Sequence, residues 1–310
     1  MMIWIVLIGL IAVLLAFDLI VLHKPGEAPG HRRVAIETFF WVLTAASFSI
    51  AIYFIYQQGY SDNPNQLQPS DAVFKYITGY LIELSLSVDN LFVISMIFAS
   101  FNIPIKYQHR ALFWGIIGAV IFRGLMILFG IVLITKVSWI VYVFGFLLLY
   151  TAFRMLVRQE EESDGKRLRH LLSRYFNFSV NLDGEKFRTV ENGVKVFTPL
   201  FAALIMIELT DLLFALDSIP AILAVTTDPF LVFSSNIFAI LGLRSMYFFL
   251  ANMLEKFHYL KYSVFTILVF VSIKLITSHF IQFPEWFSLT FIGASLLLGI
   301  LVSLNNLKNE

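Results

Sequence analysis

The stretch IELTDLLFALDSIPAIL, residues 207–223, holds Glu208, Asp211 and Asp217 in an apolar run with no Lys or Arg among them. A second stretch, ELSLSVDNLFVI at 83–94, holds Glu83 and Asp89, six residues apart as Asp211 and Asp217 are. An ionisable side chain inside such a run costs at least about 2.5–3.5 kcal/mol, so these acids are expected to face a bundle interior or an aqueous cavity. Five carboxylates, with the Asn90 amide and the Ser218 hydroxyl beside them, form a hard, oxygen-rich donor set. That set suits Mg²⁺, Ca²⁺ or Mn²⁺ better than Zn²⁺ or Cu⁺. The chain has no Cys, which excludes thiolate metal sites, disulfides and Cys nucleophiles. Met96 and Met206 could add soft thioether ligands, but Met at apolar positions usually packs.

One straight helix cannot gather these acids. At about 100° per residue, Glu208 and Asp211 lie about 60° apart, whereas Glu83 and Asp89, like Asp211 and Asp217, lie about 120° apart and about 9 Å along the axis. Pro220 removes the N–H that would bond the Leu216 carbonyl, so the helix is expected to kink or break at Asp217 and free a carbonyl ligand. The 83–94 copy has no Pro or Gly there, and Ser85, Ser87 and Asn90 could satisfy freed backbone groups.

The elements that carry these residues follow from composition. The chain is 59% hydrophobic and 14% charged, with a mean hydropathy of +0.82, against about 25% charged in soluble domains. An all-α polytopic membrane protein is expected. Nine runs are long enough to span, near 2–22, 35–57, 73–99, 111–134, 137–157, 199–225, 231–254, 263–281 and 287–304. The first lacks a basic n-region and reads as a span, not a cleaved signal. Basic loops alternate with acidic or neutral ones, which places the N-terminus outside and the C-terminus in the cytoplasm. Between spans five and six, residues 158–198 form a cytoplasmic loop whose RQEEESDGKRLRHLLSRYF is charged and helix-compatible. Asp183-Gly184 and Asn192-Gly193 in the same loop signal a β-hairpin. The formal net charge of +1 gives no basis for nucleic-acid binding.

The two acidic stretches open a longer repeat. FRGLM with Arg123 in span four matches LRSMY with Arg244 in span seven, and TAFRML with Arg154 in span five matches VSIKLI with Lys274 in span eight. Spans 3–5 (73–157) and 6–8 (199–281) therefore read as two copies, inverted in the membrane because they start on opposite sides. Residues 1–57 precede the first copy and 287–310 follow the second. Inverted repeats of this kind build secondary transporters with a site at the midplane. Arg123, Arg244 and Lys274 could pair with the acids, and five negative charges less these three leave two, which one divalent cation or two protons would balance.

With these motifs the chain resembles the TerC family of integral membrane proteins, close to its Alx-type manganese exporters. The resemblance runs from Asp18 in AFDLIVLH through ELSLSVDNLFV, the Asp-Gly loop and ELTDLLFALDSIPAI to SIKLI. It implies an inner-membrane exporter of Mn²⁺ with Glu83, Asp89, Glu208, Asp211 and Asp217 as transport-site acids. Asp18 belongs to the family's first-span pattern and could equally cap or face water.

Exporting a divalent cation against the membrane potential costs about 2.3 kcal/mol per charge per 100 mV. No nucleotide-binding loop is present, so proton antiport is the expected drive and the partners are a divalent metal ion, protons and the bilayer. No prosthetic group and no enzymatic activity are expected. Two other classes share some features. A membrane scaffold that assists metalation or folding of exported proteins fits every one of them. An intramembrane aspartyl hydrolase would need YD and GxGD motifs, where this chain has SVDN and ALDS.

Overall fold

Apolar runs in a bilayer must satisfy their own backbone hydrogen bonds, and helices do so within one segment. The computed structural model of the chain is accordingly mostly helical. It describes residues 2–22, 30–63, 66–137, 139–157, 179, 182–191, 193–251, 260–277, 280–281 and 283–306. The helices are α1 (Met2–Phe17), continued by a π-helical turn (Asp18–Leu22), α2 (His31–Gln57), α3 (Pro69–Ser100), α4 (Ile105–Lys136) and α5 (Ile140–Val157). After a hairpin come α6 (Pro199–Leu223), α7 (Pro229–Leu241), α8 (Leu243–Ala251), α9 (Leu260–Ile276) and α10 (Glu285–Asn306).

Among the described residues, five helices are long and apolar enough to cross a membrane: α1, α2, α4, α6 and α10. A sixth candidate is the pair α7 and α8, bent by 40° at Gly242. Helices α5 and α9 are apolar but shorter. Large apolar side chains cover the outside, among them Ile5 at 70% exposure, Phe129 at 65% and Leu297 at 62%. A soluble protein would leave no such belt in water.

The hairpin pairs β1 (Arg188–Glu191) with β2 (Val194–Phe197), antiparallel, Glu191 opposite Val194. Gly193 in its turn takes φ +78°, a value that glycine adopts without steric cost. Phe197 stacks on Phe201 at 4.5 Å, seating the hairpin on the start of α6. The RQEEESDGKRLRHLLSRYF segment lies outside the described residues, as do the side chains of Asp89, Arg154 and Asp217.

Pro220 does not break the chain at Asp217. Helix α6 runs from Pro199 through Leu223 with Pro220 inside it, and α3 is likewise one helix across Asp89. The proline falls in the last turn, where its missing N–H removes one hydrogen bond close to an end that frays anyway. The break lies instead at Gly242, where an added Cβ would sit 3.3 Å from the Trp41 Cβ, so α2 presses on the chain where α7 ends.

Contacts along the helices fix their directions. Gly115 meets Ile207, Arg123 meets Asp211, and Gly130 meets Ile219 and Leu223, so α4 and α6 run parallel. Gly79 of α3 meets Ile222 at the far end of α6, while Ile94, Ile97 and Phe98 share a buried cluster with Ala202, Ala203 and Met206. The two acidic helices are therefore antiparallel. Helices α3, α4, α6 and α7 enclose the centre, and small residues along α4 allow the close approach such packing needs.

Candidate ion site

Arg123 organises the centre. It is 1% exposed, and its guanidinium reaches acids on two other helices. On α6 it holds Asp211 in a two-pronged pair, Nε to Oδ2 at 3.0 Å and Nη2 to Oδ1 at 2.5 Å. On α3 its Nη1 donates to Oε1 of Glu83, itself 1% exposed. Asn236 of α7 closes the ring, donating from Nδ2 to Glu83 Oε2 at 2.9 Å and accepting from Arg123 Nη1 at 3.3 Å. Ser87 donates to Glu83 Oε1 at 3.5 Å. A planar fork of donors matches two carboxylates in a way an ammonium cannot.

Glu208 stands one turn before Asp211 and lies against the backbone of Gly118 on α4. Its Oε2 is buried and has no hydrogen-bond partner among the described residues. Asn90 and Ser218 are buried on α3 and α6, and the Ser218 hydroxyl is likewise unpartnered there. Asp89 and Asp217 sit on the same two helices, with side chains outside the described residues. Met206 is 3% exposed in an apolar cluster and Met96 is 43% exposed, positions that serve packing and the outer surface. Among the described residues no three His, Cys, Asp or Glu side chains are grouped closely enough to hold a metal ion. The guanidinium stands between Glu83 and Asp211.

Arg244 and Lys274 make contacts elsewhere in the bundle. Arg244, in the first turn of α8, pairs with Asp18 at 2.7 Å, both 2% exposed. The pair forms where α1 turns π-helical and α7 gives way to α8, two irregularities facing each other. Nearby on α2, Arg33 pairs with Glu37 at 2.8 Å. Lys274 donates to Ser288 at 3.0 Å, joining α9 to α10. Arg123 thus holds Glu83 and Asp211, and Arg244 holds Asp18; Asp89 and Asp217, which also enter the tally of three cations against five acids, have side chains outside the described residues.

Sequence reasoning passed over Asn236 and Glu37. The polar triplet Ser234-Ser235-Asn236 inside the apolar run PFLVFSSNIFAIL was a signal for the first. Glu37, spaced four residues from Arg33, carried the signature of a helical ion pair.

Apolar helices with lipid-compatible outer faces, closed around a buried ionic centre, define a multi-pass membrane protein. The chain belongs to the TerC family of integral membrane proteins, whose family model matches residues 68–310. It is 43% identical over 302 residues to an uncharacterized membrane protein of Rickettsia bellii (97% of this chain, 96% of the relative). It is 42% identical over 303 residues to an uncharacterized membrane protein of Myxococcus xanthus (97% and 91%). It is also 39% identical over 296 residues to Alx of Escherichia coli strain K12, named as a candidate membrane-bound redox modulator (94% and 91%). No solved structure matches the chain.

Proposed function

We propose that this protein is a secondary transporter that exports a divalent metal cation, Mn²⁺ best, in exchange for protons, through the carboxylates of α3 and α6. The observation that carries the reading is the Arg123 guanidinium, a cation held between Glu83 and Asp211 from two antiparallel helices. Carboxylates that hold a guanidinium can hold a metal ion once the arginine withdraws. Glu208, with an unpartnered buried oxygen, then adds a third acid, and Asp89 and Asp217 complete the cage. Protons compete for the same oxygens, which couples their inward movement to outward release of metal.

In this reading the chain crosses a bacterial inner membrane nine times. Helices α5 and α9 and the pair α7 and α8 are spans, the N-terminus is outside and the C-terminus cytoplasmic. The opposite directions of α3 and α6 favour an inverted three-helix repeat, with alternating access as one copy rocks against the other. A redox role, as in the name of the Alx relative, would have to act without thiols, because the chain has no Cys. Export of Mn²⁺ would change the metal status of redox enzymes indirectly, so the two descriptions are compatible. The scaffold alternative predicts no flux.

The test is Mn²⁺ movement in liposomes holding the purified protein. Wild type should release Mn²⁺ when a proton gradient is imposed, and Asp89→Asn and Asp217→Asn should not, while both variants insert and stay folded. Met206→Leu should transport normally. Flux that ignores an ionophore collapsing the gradient refutes proton coupling, and absence of flux refutes transport.

A further inference from the structure

Glycines on α4 that face α6 do different things. A Cβ added at Gly115 would meet Ile207 Cγ2 at 3.4 Å and Leu204 Cδ1 at 4.0 Å, ordinary apolar contact. At Gly130 it would meet Leu223 Cδ1 at 3.0 Å and Ile219 Cγ2 at 3.1 Å, again apolar. At Gly118 the three nearest atoms are Oε1, Cδ and Oε2 of Glu208, and all three would overlap the new carbon. The carboxylate of Glu208 thus lies in the volume that any other residue at 118 would fill.

We propose that Gly118 is a positioning residue: the missing side chain is a recess that sets where the Glu208 carboxylate stands relative to Asp211, and with it the reach of the cation cage. The inference rests on the reading of Glu208 as an ion ligand. A packing role alone would bring a backbone or an apolar side chain against Gly118, as at Gly115 and Gly130. Instead the neighbour is the mobile end of an ionisable side chain, which can rotate away from an added methyl at little cost to the fold. A metal site needs its ligands held within about 0.5 Å, and a methyl in this recess displaces the carboxylate by more than that. Ala at 118 should therefore spare folding and damage binding.

The test is calorimetric titration of Mn²⁺ into detergent-purified protein, with thermal melting alongside. Gly118→Ala should bind at least tenfold more weakly than wild type yet melt close to it, and Gly115→Ala should bind normally. Glu208→Asp retracts the carboxylate by one methylene. Alone it should weaken binding, but added to Gly118→Ala it should recover affinity, because the shorter side chain clears the methyl. Normal binding by Gly118→Ala, or a double variant as weak as the two single losses added together, overturns the proposal. A wild type that binds no Mn²⁺ refutes the transport reading itself, and that arm is read before any variant.

Discussion

Arg123→Leu removes the only cation that contacts Glu83 and Asp211 among the described residues, while keeping an apolar stem in the same space. Breaking a buried ion pair by deleting one partner costs about 3–5 kcal/mol, because a charge is left buried without compensation. Here two carboxylates are left, one of them on a residue 1% exposed, so the upper part of that range applies. For a chain this size that is a fall of order 10 °C in apparent melting temperature. The transport reading adds a second expectation: a divalent cation should replace the lost guanidinium. At a hundred times its Kd a ligand stabilises by about 2.7 kcal/mol, so Mn²⁺ should restore much of the loss in Arg123→Leu and shift the wild type less, since there it must first displace the arginine. Arg123→Leu combined with Glu83→Gln and Asp211→Asn removes the uncompensated charge and should melt above Arg123→Leu alone, with no response to Mn²⁺. The assay is melting in detergent at one scan rate, with and without Mn²⁺. An Arg123→Leu variant as stable as wild type, or one blind to Mn²⁺, would show that the triad is not a cation site in waiting.

Other outcomes follow from single contacts. Asp228 caps α7 by accepting from the amides of Phe230 at 2.9 Å and Leu231 at 3.2 Å. Asp228→Ala should lower stability by about 1–2 kcal/mol and Asp228→Asn by much less, read by chemical denaturation. Gly145→Ala places a methyl against Ile276 and within 3.4 Å of the Ser272 carbonyl, so wedging α5 from α9 should cost about 1–3 kcal/mol in the same measurement. In the exposed loop before β1, the hydrogen bonds from Lys186 and Thr189 hold the Asp183 carboxyl below its ordinary value. A lowered folded-state value means the contribution is present above the unfolded value and lost as pH falls through the folded one. Protection of the hairpin amides, as the exchange rate relative to the intrinsic rate at each pH, should therefore be high near neutrality and fall below the usual carboxylate range, and Asp183→Asn should flatten that response; an unchanged profile in the variant refutes the assignment.

What the sequence determined by itself was the local part. A membrane helix satisfies its backbone within one segment, so apolar runs were enough to place helical segments along the chain. The cost of a charge in oil was enough to pick out Glu83, Asp211 and Arg123, which the fold indeed brings together. Membership of the TerC family was legible in the two acidic motifs for the same reason: such acids are rare enough in apolar runs to act as a signature.

Tertiary structure decided who meets whom. Asp18 and Arg244 pair across 226 residues, and nothing near either one announces its partner. Asn236 joins Glu83 because α7 packs on α3, and Glu208 takes its place from a recess on α4 that is invisible along α6. The break at Gly242, not at Pro220, was also a tertiary decision. A proline in a last turn gives up one hydrogen bond at an end already short of them, whereas a Cβ added at the glycine would sit 3.3 Å from the Trp41 Cβ. Backbone hydrogen bonds close within four residues and can be read along the chain, but Arg123 meets Glu83 and Asp211, and Arg244 meets Asp18, across helices, and only packing sets those distances.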